Sequence, residues 1–221
     1  MYTSFLSGLK SRLQASHLPV SFIKKTLGSW IHVNVVVTHG LAFNVGFDKS
    51  WRADGIKYQH ALVETVAIHT IDLLSFYLGE IQEWSYYPSN QSMRGTAYDT
   101  ASLQLKFKDN ITSSLLFSYA APFRNEITVT GTNGVLSISD NCVELLSHRD
   151  SFNDKGFFIR PPMVKNIQIN LDNDYKESLK KSVNYFLKHV RHGKPMDQEH
   201  LNKSLQSNKW ILDLINNRLV K

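Results

Sequence analysis

The stretch from His60 to Leu78 constrains this chain more than any other. Leu62, Val66, Leu73 and Tyr77 form one helical stripe, and Val63, Ala67, Ile71, Leu74 and Leu78 cover much of the remaining circumference. A helix apolar on most sides must be enclosed by other elements. Gly79 follows at once and supplies a C-terminal stop. The 221 residues therefore have to provide a surface able to wrap a helix, and the rest of the sequence offers a sheet.

Strands are legible by period two on both sides of that helix. Trp30 to Thr38 alternates, with Ile31, Val33, Val35 and Val37 against His32 and Asn34. Further strands are predicted at Ile81–Tyr87, Ala101–Lys108, Ile111–Ala120, Glu126–Thr130 and Val135–Ser139, with weaker ones at 143–146 and 166–171. Asp109-Asn110 and Gly131-Thr132-Asn133-Gly134 read as hairpin turns. Residues 39–60 read as loop. Successive hairpins imply a mainly antiparallel sheet.

Helices close both ends. Phe5, Leu6, Leu9 and Leu13 space a helix over residues 2–14. Near the C-terminus, Leu179, Val183, Phe186, Leu187 and Val190 form one stripe, and Leu201, Leu205, Leu212, Ile215 and Leu219 another, with Gly193-Lys194-Pro195 between them. The expectation is one α+β domain over residues 1–221, an open sheet with helices on one face. Residues 1–28 form its lead-in helix and connector, 29–172 the sheet with the buried helix, and 173–221 the closing helices. Several strands carry apolar groups on both sides: Val36 among Val35 and Val37, Leu116 beside Leu115 and Phe117, and Trp84 beside Tyr86 and Tyr87. This points to a subunit interface on the second sheet face; covering loops are the alternative.

Bulk properties remove several classes. No run of 18 apolar residues exists, and the N-terminus lacks the pattern of a signal peptide. The single cysteine, Cys142, excludes an internal disulfide and fits a reducing cytoplasm. The net charge is +6, but the basic residues are dispersed, so no nucleic-acid surface is expected. His32, His39 and His69 lack compact ligand spacing, so no metal site is expected. No phosphate loop or G-x-G-x-x-G fingerprint follows a strand.

The polar groups with chemical promise lie on the central helix. Thr65, His69 and Asp72 are spaced by four and three and project from one side. A histidine there can act as acid or base near neutral pH. A buried histidine bonded to Asp72 or to backbone is the alternative.

These residues also carry a family resemblance. Ala67-Ile68-His69-Thr70-Ile71-Asp72-Leu73-Leu74-Ser75-Phe76-Tyr77-Leu78-Gly79-Glu80 resembles the G-x-H-x-I-D-L-L-x-Y-L-x-G helix of Gfo/Idh/MocA oxidoreductases. Leu27-Gly28-Ser29-Trp30-Ile31-His32-Val33, Ser50-Trp51-Arg52 and Ile127 to Leu136 resemble three further family segments in the same order, and the closing helices match the family's end.

The resemblance implies the family's C-terminal, dihydrodipicolinate-reductase-like domain, without the Rossmann domain that binds NAD or NADP. It implies His69 as the group near the reacting hydroxyl and Asp72 as its companion. Arg52, Thr65 and Glu64 are the candidate substrate contacts. Thr65 stands where the family often has an aspartate, and Ala67 where it has a glycine. The implied activity is oxidation or reduction of a sugar or related polyol, with no cofactor bound by this chain alone and a separate nucleotide-binding chain needed. The alternative is a non-catalytic oligomerisation or ligand-binding domain. A homo-oligomer formed through the open sheet face is expected in either case.

Overall fold

The computed structural model describes residues 20–169, 171–193, 195 and 198–216. The helix expected over residues 2–14 lies outside these residues. Helix α1, Val20–Leu27, leads into strand β1, Trp30–Thr38. After three short 3-10 turns comes a π-helical turn, Val63–Ala67, continuing directly into α2, Ile68–Leu78. Seven strands follow: β2 Ile81–Ser89, β3 Thr100–Phe107, β4 Thr112–Ser118, β5 Arg124–Gly131, β6 Gly134–Ile138, β7 Cys142–Ser147 and β8 Met163–Gln168. Helices α3, Leu171–Arg191, and α4, Gln198–Asn216, end the described chain.

The strands form one eight-stranded sheet in the order β2-β3-β4-β1-β5-β6-β7-β8. It is an open, mainly antiparallel sheet, as expected. The exception lies at its centre, where β1 and β4 run parallel, with Val35 opposite Leu115 and Val37 opposite Phe117. A parallel neighbour needs a crossover. The crossover here is the segment containing α2, so the most apolar helix is carried across the most buried strands.

One face of the sheet is the core. Val33, Val35, Val37, Leu103, Leu105, Leu115, Phe117, Ile127, Leu136 and Leu145 are buried on it beneath α2. Trp84 and Tyr86 also face inward, Trp84 meeting Trp210 of α4 at a ring separation of 6.1 Å. The other face carries Asn34, Thr112, Ser114, Gln104, Lys106 and Thr128, which are exposed or half-buried. Val36, Leu116 and Tyr87 are the apolar groups among these hydroxyls and amides, and Leu116 and Tyr87 are exposed.

The turn between β5 and β6 has a structural task. Asn133 donates its backbone N–H to Leu27 O at 2.8 Å and its side-chain amide to Thr26 O at 3.2 Å. Two end carbonyls of α1 are thereby satisfied. The approach is so close that a Cβ on Gly131 would stand 2.3 Å from Leu27 O, so only glycine fits.

The closing helices differ from expectation. On α4 the buried side is Ser207, Ile211 and Leu214, with Trp210 and Ile215 half-buried against the core. Leu201, Leu205 and Leu212, expected to be the buried stripe, are exposed; Leu219 lies outside the described residues. On α3 the whole stripe is exposed: Leu179 47%, Val183 48%, Phe186 54%, Leu187 37% and Val190 60%. Helix α3 is amphipathic but does not cover the sheet. Periodicity reveals that a helix has an apolar face, not which surface that face meets.

Candidate functional site

The C-terminal ends of the parallel pair deliver two aromatic side chains side by side. His39 follows β1 and Tyr119 follows β4, and their rings lie 5.0 Å apart. The backbone holds the pair together: His39 N–H donates to Ser118 O at 2.9 Å. The Tyr119 hydroxyl lies 3.1 Å from Thr65 Oγ1 in the π turn, and Thr65 also donates to Ala61 O at 2.6 Å. A π turn inserts one extra residue into the helical ladder and re-aims the side chains within it.

Arg52 joins this group from the loop after β1. Its guanidinium stacks on the neighbouring Trp51 ring at 4.3 Å from the centroid. Ser50 accepts the Arg52 backbone N–H at 3.3 Å. The loop is locked from behind by residues 94–97, where Thr96 N–H donates to Ala53 O at 2.8 Å. A Cβ on Gly95 would come within 2.6 Å of Ala53, so the two loops interlock only through a glycine. The Arg52 charge reaches His39. Burial, chiefly, and that positive charge, secondarily, hold the His39 pKa below its ordinary 6.5.

His69 lies one turn beyond Thr65. It is half-buried, and it makes no hydrogen bond among the described residues. Burial pushes its pKa down, and the Asp72 charge opposes that only in part. The ring is thus held neutral near pH 7, able to accept a proton. Asp72 has a second duty: its Oδ1 accepts the Ser207 hydroxyl of α4 at 2.8 Å. It ties the central helix to the closing helix and acts on His69 only through space.

The expected constellation is therefore divided. Thr65 bonds Tyr119, which lies beside His39, and Arg52 acts on His39 through its charge. His69 stands alone in hydrogen bonding, with Asp72 facing α4. Glu64 is exposed and joins neither group. Sequence reading missed Tyr119, which is only 1% exposed. Its signal was a tyrosine ending an alternating strand; its meaning depends on the parallel pairing with β1. The three histidines weighed as ligands are separated: His32 bonds Thr112 Oγ1 at 2.8 Å, His39 stacks with Tyr119, and His69 is on the helix. No group of three or more metal-ligating side chains occurs among the described residues. Nor is any described helix long and apolar enough to cross a membrane.

Residues 23–137 match the family model described as the GFO/IDH/MocA C-terminal domain. The chain belongs to the Gfo/Idh/MocA family. It corresponds to the C-terminal domain of those oxidoreductases. Its fold is similar to an oxidoreductase from Agrobacterium radiobacter solved with NAD+, L-tartaric acid and magnesium. The TM-score is 0.68 and the identity 16%, covering 97% of this chain and 61% of that one. An oxidoreductase from Thermotoga maritima matches with TM-score 0.65 and 19% identity, over 94% of this chain and 57% of that one. Myo-inositol 2-dehydrogenase from Lactobacillus plantarum matches with TM-score 0.59 and 17% identity, over 96% and 59%. The chain thus spans about 57–61% of the length of these structures. No curated protein sequence matches the chain.

Proposed function

We propose that this Gfo/Idh/MocA domain is the substrate-side half of an NAD(P)-dependent oxidoreductase acting on a sugar or related polyol, and that a separate nucleotide-binding unit completes it. The observation carrying this reading is the state of His69. A histidine kept neutral by burial and left without a hydrogen bond suits a group that takes up or returns the proton of a reacting hydroxyl. NAD or NADP, when present, supplies the hydride chemistry. This chain's residues supply the rest: His69 handles the proton, Arg52 and Thr65 hold the substrate, Tyr119 fixes Thr65 in place, and the Trp51 ring supports Arg52.

The exposed stripe of α3 supports a separate unit. Five large apolar side chains on one helix face call for a partner. The neighbours extend well beyond the length this chain provides, and two of them are described as an NAD+ complex and a myo-inositol dehydrogenase. A nucleotide-binding unit docked on α3 would account for both. We also propose a homo-oligomer through the open sheet face, around Val36, Leu116 and Tyr87, and residence in a reducing cytoplasm. Light scattering that found only monomer at micromolar concentration would remove the oligomer.

The test is turnover. The chain is assembled with a nucleotide-binding domain of its family and assayed with NAD+ and NADP+ against myo-inositol and L-tartrate. His69→Ala is expected to lower kcat by about 10²–10⁴-fold, the usual contribution of a general acid–base group. Unchanged turnover in that variant would remove His69 from the chemistry. Persistent inactivity of the native assembly would favour the non-catalytic, ligand-binding reading instead.

A further inference from the structure

Asn125 is 93% buried, with a relative exposure of 7%, yet its Oδ1 has no hydrogen-bond partner. An unmade hydrogen bond in the interior is costly, and native proteins rarely keep one without a use. Asn125 opposes Val37 of β1 and alternates with Ile127 and Val129 along β5. It therefore projects from the helix-covered face, as they do.

The register of helix on sheet gives Asn125 a neighbour. Thr65 bonds Tyr119 at the C-terminal end of the parallel pair, while Tyr77 shares an apolar cavity with Trp30 at the start of β1. Helix α2 thus runs antiparallel to β1 and in the same direction as β5. Leu73 and Ile127 both line that cavity. Moving one turn back from Leu73 reaches His69, a displacement of about 6 Å at the helical rise. Moving two residues back from Ile127 reaches Asn125, about 6.6 Å at the strand rise. These two steps bring His69 and Asn125 to a similar level along facing elements, beyond the end of the apolar cavity.

We propose that Asn125 is a ligand-binding residue of the same site, its amide accepting a hydrogen bond from a hydroxyl of the substrate that His69 deprotonates. This rests on the functional reading above. An acceptor in apolar surroundings selects a neutral O–H donor, because an ammonium would lose its hydration without a counter-charge. The substrate class is therefore a neutral polyol portion with two hydroxyls, one at His69 and one at Asn125.

Three readouts on the full chain test it. In Asn125→Asp the new carboxylate is expected to raise the His69 pKa, read from its ring proton signals, by about one unit; an unmoved titration would overturn the placement. The Asn125 side-chain amide signals are expected to shift on titration with glycerol or myo-inositol, and fixed signals would overturn the contact. Asn125→Leu removes the unmade bond, so its melting temperature is expected to rise by about 2–4 °C; a fall would mark Asn125 as structural and overturn the proposal. In the assembled enzyme Asn125→Leu should raise KM about tenfold with a smaller change in kcat. An unchanged KM would remove Asn125 alone, whereas loss of the oxidoreductase reading with the Asn125 signals still moving would remove only that reading.

Discussion

The sheet with α2 and the helix α3 are built from similarly apolar stripes, yet one is sealed and the other is not. Leu103, Leu115, Phe117, Leu136 and Leu145 are at most 2% exposed, while the five stripe residues of α3 are 37–60% exposed. The sheet half satisfies itself within the chain. The end carbonyls of α1 are capped by the β5–β6 turn, the crossover helix is buried, and Asp72 links it to α4. Helix α3 has the sequence of a packed element without the packing. The difference separates the apolar surface that this chain seals by itself from the apolar surface that it leaves exposed.

Core truncation should break the comparison most strongly. Leu103→Ala lies at 0% exposure and is expected to cost about 2–5 kcal/mol, measured by urea unfolding. Val183→Ala on α3 should change the same midpoint by less than about 0.5 kcal/mol. A large loss at Val183 would show that α3 is already packed.

The link between the two regions comes next. Removing Asp72 or Ser207 deletes the bond from α2 to α4, and each alanine variant is expected to cost about 1 kcal/mol. The double variant should cost little more than either alone, because one interaction is lost once. Additive losses would contradict that pairing.

The smallest effect is on pH. His39 and His69 both have folded pKa values below the ordinary 6.5, chiefly through burial. The unfolded chain takes up protons near 6.5 while the folded chain resists. Stability is therefore complete above that value and declines as pH falls below it toward the folded pKa values. Both rings are only half-buried, so the decline is modest. His69→Asn should flatten it, as read from urea midpoints between about pH 7.5 and 5.5.

Much of this arrangement was legible in the sequence because it is local. Alternation placed β1 and the β3–β4 hairpin. The Gly131-to-Gly134 turn announced itself through residue types that its close approach to Leu27 requires. The all-round apolar pattern of residues 60–78 foretold a buried helix. What escaped depended on contacts distant in sequence. The parallel pairing of β1 with β4 brings His39 to Tyr119. Ser207 lies 135 positions from Asp72, and no spacing rule connects them. The π turn leaves no periodic mark, so spacing groups Thr65 with His69 while its hydroxyl lies against Tyr119. Nothing in the alternation of β5 distinguishes Asn125; its burial does. The face of α4 was misjudged because both of its sides carry leucines, and only docking on Trp84 decides between them.

In the proposed assembly the nucleotide comes to this domain from another unit. Calorimetric titration of the 221-residue chain alone with NADH and NADPH tests it most directly. The account predicts no saturable heat up to millimolar nucleotide. It predicts that binding emerges when a nucleotide-binding domain is added, and that Val183→Asp with Leu187→Asp on α3 weakens it. Saturable micromolar binding by the chain alone would contradict the account.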